Sequence, residues 1–142
     1  MAAFSELTGP WLGWSIQEGL RISERMRLII RGTIIEGEGT DMDGEFELTG
    51  SYDPRTERVL LTRRYYHTTE PSQSGVGIPY DYEGKWDGTL VGGMWHPRAN
   101  PHYGGEFEMW PDRDEETETL RLEELHIQEL MLPRSAVELR MP

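Results

Sequence analysis

From Gly9 to Pro111 turn residues cut the chain into eight short segments in which polar and apolar side chains alternate. A period of two sends successive side chains to opposite faces, so each segment is predicted to be a strand with one face in a core. The segments are 11–17, 23–31, 33–40, 45–52, 58–66, 80–86, 89–96 and 105–110. In the second, Met26, Leu28 and Ile30 alternate with Arg25, Arg27 and Arg31; in the fourth, Phe46, Leu48 and Tyr52 oppose Glu45, Glu47 and Thr49. Most connections are short enough for hairpins, and Asp87-Gly88 between alternating flanks is predicted to form a type I′ turn. Eight strands suffice to close an up-and-down barrel, and pairing the last with the first removes both sheet edges. The expected class is therefore all-β: an eight-stranded antiparallel up-and-down meander barrel over residues 9–111.

Composition changes after Pro111. Residues 112–142 are acidic and rich in Glu, Leu and Arg, which favours helix by intrinsic propensity. On a helical wheel Leu120, Ile127 and Met131 form one stripe and Leu122, Leu125 and Leu132 another. Two stripes ask for two packing partners, such as the barrel wall and a second subunit, so this α-helical segment is a candidate homodimer surface. Short strands at 119–122 and 126–132 are the alternative.

Gly-x-Trp occurs three times, at Gly9-Pro10-Trp11, Gly84-Lys85-Trp86 and Gly93-Met94-Trp95, with Gly50-Ser51-Tyr52 as a variant. Residues two apart share a strand face, so each glycine leaves room beside its aromatic for a neighbouring ring or a bent backbone. Such corners suit a curved sheet. With a first strand opening on Gly9 and Trp11, and with this meander order, the chain resembles the calycins, the lipocalin-like and avidin-like barrels. The resemblance implies a barrel closed at the end where Gly-x-Trp lies. It implies no particular activity: there is no Thr-Asp-Tyr motif, no closing Arg in strand eight, and the polar biotin-binding set of avidins does not map onto these strands.

In an eight-stranded meander the connections fall alternately at opposite ends. One end has only tight turns, at Arg31-Gly32, residues 53–56 and Asp87-Gly88. The other collects residues 18–22, 41–44 and two long loops, 66–79 and 97–104. Recognition concentrates on loops held by a rigid scaffold, so this second end is the expected mouth. Trp11, Phe46, Leu48, Tyr52, Leu61, Tyr82, Trp86, Met94 and Phe107 are the expected core, with Trp14, Trp95 and Trp110 facing out. Whether the interior is filled by side chains or holds a cavity stays open, because eight strands permit either.

Arg63, Arg64, Tyr65 and Tyr66 approach the mouth from the fifth strand, and one Arg-Tyr pair pointing inward would grip a carboxylate. The expected ligand-binding set is Arg63, Tyr65, Tyr82, Trp86, His96 and Tyr103. His67, His96 and His102 also fall near the mouth, beside Asp41 and Asp43, but no His-x-x-x-His spacing fixes a metal, so no metal site is expected. The pairs Glu36/Glu38, Glu45/Glu47 and Glu106/Glu108 lie opposite apolar faces and are expected to be solvated rather than catalytic. No nucleophile elbow, phosphate loop or dinucleotide fingerprint occurs, and no cofactor is expected.

The net charge is −12, with 13 arginines and one lysine among the cations. This balance repels phosphate backbones and anionic lipid, so neither nucleic acid nor a membrane is an expected partner. The absence of cysteine leaves the compartment open, but there is no basic-then-apolar leader in residues 1–7 and no apolar run of membrane-spanning length, which together give a cytoplasmic expectation. The expected function is a non-enzymatic barrel taking a small apolar or amphipathic ligand at its mouth. The alternative is a protein-interaction module using the acidic segment and exposed tryptophans; third comes an enzyme using the mouth histidines.

Overall fold

The structure, a computed structural model, describes residues 3–69 and 76–112. The predicted helix and its alternative strands after residue 112 lie outside the described residues. Within them the fold is a closed barrel of β1 (Gly9–Gln17), β2 (Leu20–Arg31), β3 (Ile34–Asp41), β4 (Gly44–Asp53), β5 (Arg58–Thr68), β6 (Tyr80–Trp86), β7 (Val91–Pro97) and β8 (Gly105–Pro111). Each strand pairs antiparallel with the next, and β8 returns to β1 from Trp11↔Pro111 to Ser15↔Phe107. This is the predicted meander with its edges sealed. Among the described residues no helix is long and apolar enough to cross a membrane.

Two turns differ from expectation. Residues 18–22 are not a loop: β2 begins at Leu20, and Glu18 (φ 51°) with Gly19 (φ 80°) makes a two-residue hairpin. Conversely, Asp87-Gly88 is not a type I′ turn, because only Gly88 takes a positive φ. The Asp87 carboxylate instead accepts the backbone N–H groups of Thr89 and Leu90, both at 2.8 Å, while the Asp87 N–H donates to the Leu90 carbonyl at 3.0 Å, so the turn is centred on Gly88-Thr89. An Asp side chain that closes its own turn competes with the hairpin its dipeptide suggests.

The inward phase is largely apolar, with Met26, Leu28 and Ile30 from β2, Phe46 and Leu48 from β4, Val59 and Leu61 from β5, and Phe107 and Met109 from β8, interrupted by Ser15, Glu24 and Arg63. Glu36, Glu38, Glu45, Glu47 and Glu106 are exposed on the outer face. The phase of β7 is the reverse of that expected. Trp95 is inside, 5% exposed, with its indole N–H donating to the Ile16 carbonyl at 2.9 Å, whereas Met94 is outside and 54% exposed. Of the other outward tryptophans, Trp14 is half-buried and lies under the Arg21 guanidinium, 4.3 Å from its carbon, and Trp110 is half-buried. A register shift in the β4–β5 ladder at Glu45/Phe46 leaves Tyr66 unpaired between Tyr65 and His67. Such a bulge bends its strand and returns the inward phase to Thr68.

The tight-turn end is plugged. A short 3-10 turn, Phe4–Glu6, carries Phe4 into the bottom of the barrel, stacked on Tyr52 at 4.3 Å and edge-on to Trp86 and Trp11 at 5.5 and 5.8 Å. The Trp11 indole N–H donates to the Leu7 carbonyl at 2.8 Å, and the Thr8 hydroxyl accepts the Ile30 N–H at 2.8 Å. These bonds hold the entering chain across the opening. Phe4→Ala is expected to lower unfolding free energy by about 3–5 kcal/mol, the usual cost of emptying a phenylalanine site in a core. Urea denaturation followed by circular dichroism measures it; a loss below about 1 kcal/mol would mean that Phe4 rests on the barrel without sealing it.

Candidate functional site

The inward face of β5 continues upward from Val59 and Leu61 to Arg63 and Tyr65, placing a guanidinium inside the barrel. Arg63 is met there by two carboxylates that share the inward phase of their own strands, Glu24 on β2 and Asp41 at the end of β3. Arg63 Nη1 lies 2.5 Å from Glu24 Oε2 and 3.3 Å from Asp41 Oδ2, with all three side chains at most 2% exposed. The guanidinium carbon also sits 3.8 Å from the Phe46 ring centre and 4.5 Å from that of Tyr82, so aromatic faces cover the cation. Burial is the largest single influence on Arg63 and by itself lowers its pKa, but the Glu24 charge together with Tyr82 and Tyr65 outweighs it and holds the proton well above the ordinary range.

The contacts are incomplete. Arg63 Nε is buried without a hydrogen-bond partner, and Glu24 Oε2 makes an ionic contact outside hydrogen-bond alignment. Asp41, by contrast, is saturated. Its Oδ1 accepts the backbone N–H groups of Asp43 and Gly44 at 2.8 and 3.2 Å, closing the β3–β4 turn, while Oδ2 accepts the Tyr65 hydroxyl at 2.5 Å and Arg63. Burial pushes the Tyr65 and Tyr82 phenols far above their ordinary value, so both stay protonated donors throughout the range in which the protein is handled.

Above this layer the described residues leave a hollow. A cavity of about 360 Å³ opens toward the β5–β6 and β7–β8 connections. Aromatic side chains supply much of its wall: Tyr65, Tyr80, Tyr82, Trp95 and Tyr103. Ser15 and Ile22 complete the inner surface, and Asp41 and Asp43 stand on the β3–β4 side. Across the rim the Tyr103 hydroxyl donates to Glu18 Oε1 at 3.0 Å, tying the β7–β8 loop to the β1–β2 turn. Burial, then the neighbouring Asp41 charge, raise the Asp43 carboxyl above its ordinary value, with Arg63 pulling the other way. Among the described residues the lower half of the interior is filled and the upper half is not.

Of the sequence-predicted site residues, Tyr65, Tyr82 and Tyr103 line this cavity together. Arg63 lies beneath it, already engaged by two acids and absent from the lining. Trp86 is at the opposite end, packed with Phe4 and Trp11 and bordering a more open recess there. His96 points outward from β7, its Nδ1 3.0 Å from the Pro97 carbonyl. Among the described residues no three His, Cys, Asp or Glu side chains converge as a metal site.

Glu24, Asp41, Asp43, Tyr80 and Trp95 were not in the predicted set. Glu24 carried a readable signal, a charge in phase with Ile22, Met26 and Leu28. Asp41 carried a weaker one, because Gly37 and Gly39 hide the inward phase of β3. No family model, curated protein or solved structure matches the chain significantly.

Removing one member of a buried ion group strands the others, which typically costs about 3–5 kcal/mol. Arg63→Met is expected to lose that much at pH 7 in urea denaturation, and Arg63→Met with Glu24→Met to recover most of it, since Asp41 keeps Tyr65 and its turn amides. A double variant as unstable as the single one would contradict this account of the layer.

Proposed function

We propose that this chain is a binding barrel that takes a small apolar or amphipathic molecule through its loop-rich end. The observation carrying this reading is the difference between the two halves of one interior. Below Arg63 the barrel is packed and plugged by Phe4, while above it an aromatic-walled cavity of about 360 Å³ opens at the rim. Ligand sites are typically concave, largely apolar and of about 300–1,000 Å³, with a few placed polar groups. Rings around the wall supply buried area, and the phenols of Tyr65 and Tyr82 supply the polar points. The ligand-binding residues of this reading are Tyr65, Tyr80, Tyr82, Trp95 and Tyr103.

Trp95 makes the site its own reporter. Titration with Nile red, an uncharged amphipathic probe, is expected to quench tryptophan emission saturably with one site per chain. Thr68→Trp, which fills the rim from a half-buried position on β5, is expected to weaken that binding at least about tenfold, the effect of a lost side-chain-sized contact. Circular dichroism should be unchanged. Absence of saturable quenching, or quenching indifferent to the Thr68 substitution, would overturn the assignment of the cavity as a ligand site.

A further inference from the structure

We infer that the mouth cavity selects organic cations, and that its preferred head group is a methylated ammonium carried on a short apolar body. The inference rests on the cavity being a ligand site and adds the charge of what it takes.

Charge provides the first argument. The layer beneath the cavity holds one guanidinium and two carboxylates, so it is not neutral but acidic. The cation of that layer is the member withheld from the cavity, since Arg63 is covered by the rings of Phe46 and Tyr82. Asp41 and Asp43 do line it. At the rim, Arg98 is committed to the Asp81 carboxylate at 2.8 and 3.1 Å and to the Thr62 hydroxyl, on the outer face of β5 and β6. An anionic ligand would meet two aspartates with no free cation among the described lining residues, whereas a cation would be attracted by both.

The walls provide the second. Tyr65 and Tyr80 have ring centres 5.9 Å apart at 87°, Tyr80 and Trp95 6.2 Å apart at 65°, and Trp95 and Tyr103 6.0 Å apart at 80°. Tyr82 lies near-parallel to Trp95, 6.3 Å away at 26°, so the rings stand on several sides of the cavity at different angles, and aromatic boxes recognise ammonium groups through the negative potential of the ring faces.

Hydrogen bonding narrows the head group. All the acceptor positions of Asp41 are occupied by Tyr65, Arg63 and two turn amides, so it offers a field and no open acceptor. A quaternary ammonium, which donates no N–H bond, loses nothing by this. A primary ammonium would find no acceptor on Asp41 and would depend on Asp43, which is exposed.

The experiment compares three probes of one chain length below their micellar concentrations, octyltrimethylammonium, octanol and octyl sulfate, by calorimetry and tryptophan emission. The cation is expected to bind at least about tenfold more tightly than the sulfate, from Coulomb and cation–π terms together. Asp43→Asn is expected to reduce cation affinity several-fold with octanol unchanged. Glu45→Gln removes the same charge from the exposed outer face of β4 and is expected to leave cation affinity intact. Equal reduction by Asp43→Asn and Glu45→Gln would mean diffuse attraction to an acidic surface and would overturn the inference. Equal or tighter binding of octanol or octyl sulfate would overturn it too, while leaving the cavity as a ligand site. Binding of none of the three would remove both.

Discussion

One buried cation organises this barrel. The Arg63 guanidinium divides the interior into a lower half filled by aliphatic and aromatic side chains and an upper half left open. A lone charge at that depth would be prohibitively expensive, so the strands facing β5 supply Glu24 and Asp41, and Phe46 and Tyr82 supply ring faces. Buried ion groups are poor sources of net stability, because desolvation offsets most of the attraction. What this one supplies is register. A one-residue slip of β2 or β5 would turn Glu24 or Arg63 to the outer face and strand its partner, so the layer penalises every alternative pairing of those strands.

The same layer needs space, and glycines provide it. A Cβ on Gly13 would stand 2.6 Å from the Glu108 carbonyl and 3.3 Å from a Glu24 carboxylate oxygen, and one on Gly39 would stand 2.7 Å from the Phe46 ring. The ion group and the large rings therefore fit only because neighbouring inward positions carry no side chain. Alternating large and absent side chains is how a narrow barrel accommodates bulky interior groups.

The architecture was legible because period-two alternation and turn chemistry act locally, and β4 with Phe46, Leu48 and Tyr52 shows both. What failed was the inward phase wherever glycine replaced the informative residue. At β7, Gly92 and Gly93 separate two adjacent apolar pairs, Leu90-Val91 and Met94-Trp95, and such pairs cannot show which member faces in. In β3, Gly37 and Gly39 concealed Asp41 in the same way. Arg63 was legible as an inward residue of β5, but its carboxylate partners were not. Whether a guanidinium reaches a ligand or is consumed by internal acids depends on strands distant in sequence, and nothing within β5 reports that Glu24 and Asp41 arrive opposite it. Trp86 fell at the wrong end for a simpler reason: it closes β6 at the tight-turn side, where Phe4 waits to pack on it.

The character of the cavity depends on where the positive charge goes. Were Arg63 exposed to the cavity, the site would suit a carboxylate; enclosed by its own acids and rings, it leaves walls that are aromatic and acidic. The most direct test is solvent exchange of the Arg63 Nε–H, followed by NMR on uniformly ¹⁵N-labelled protein. The account predicts one arginine side-chain N–H that exchanges as slowly as the core amides of β2 and β5 and shows no change when acetate is added. An Arg63 Nε–H that exchanges as fast as that of exposed Arg27, or shifts saturably with acetate, would contradict it.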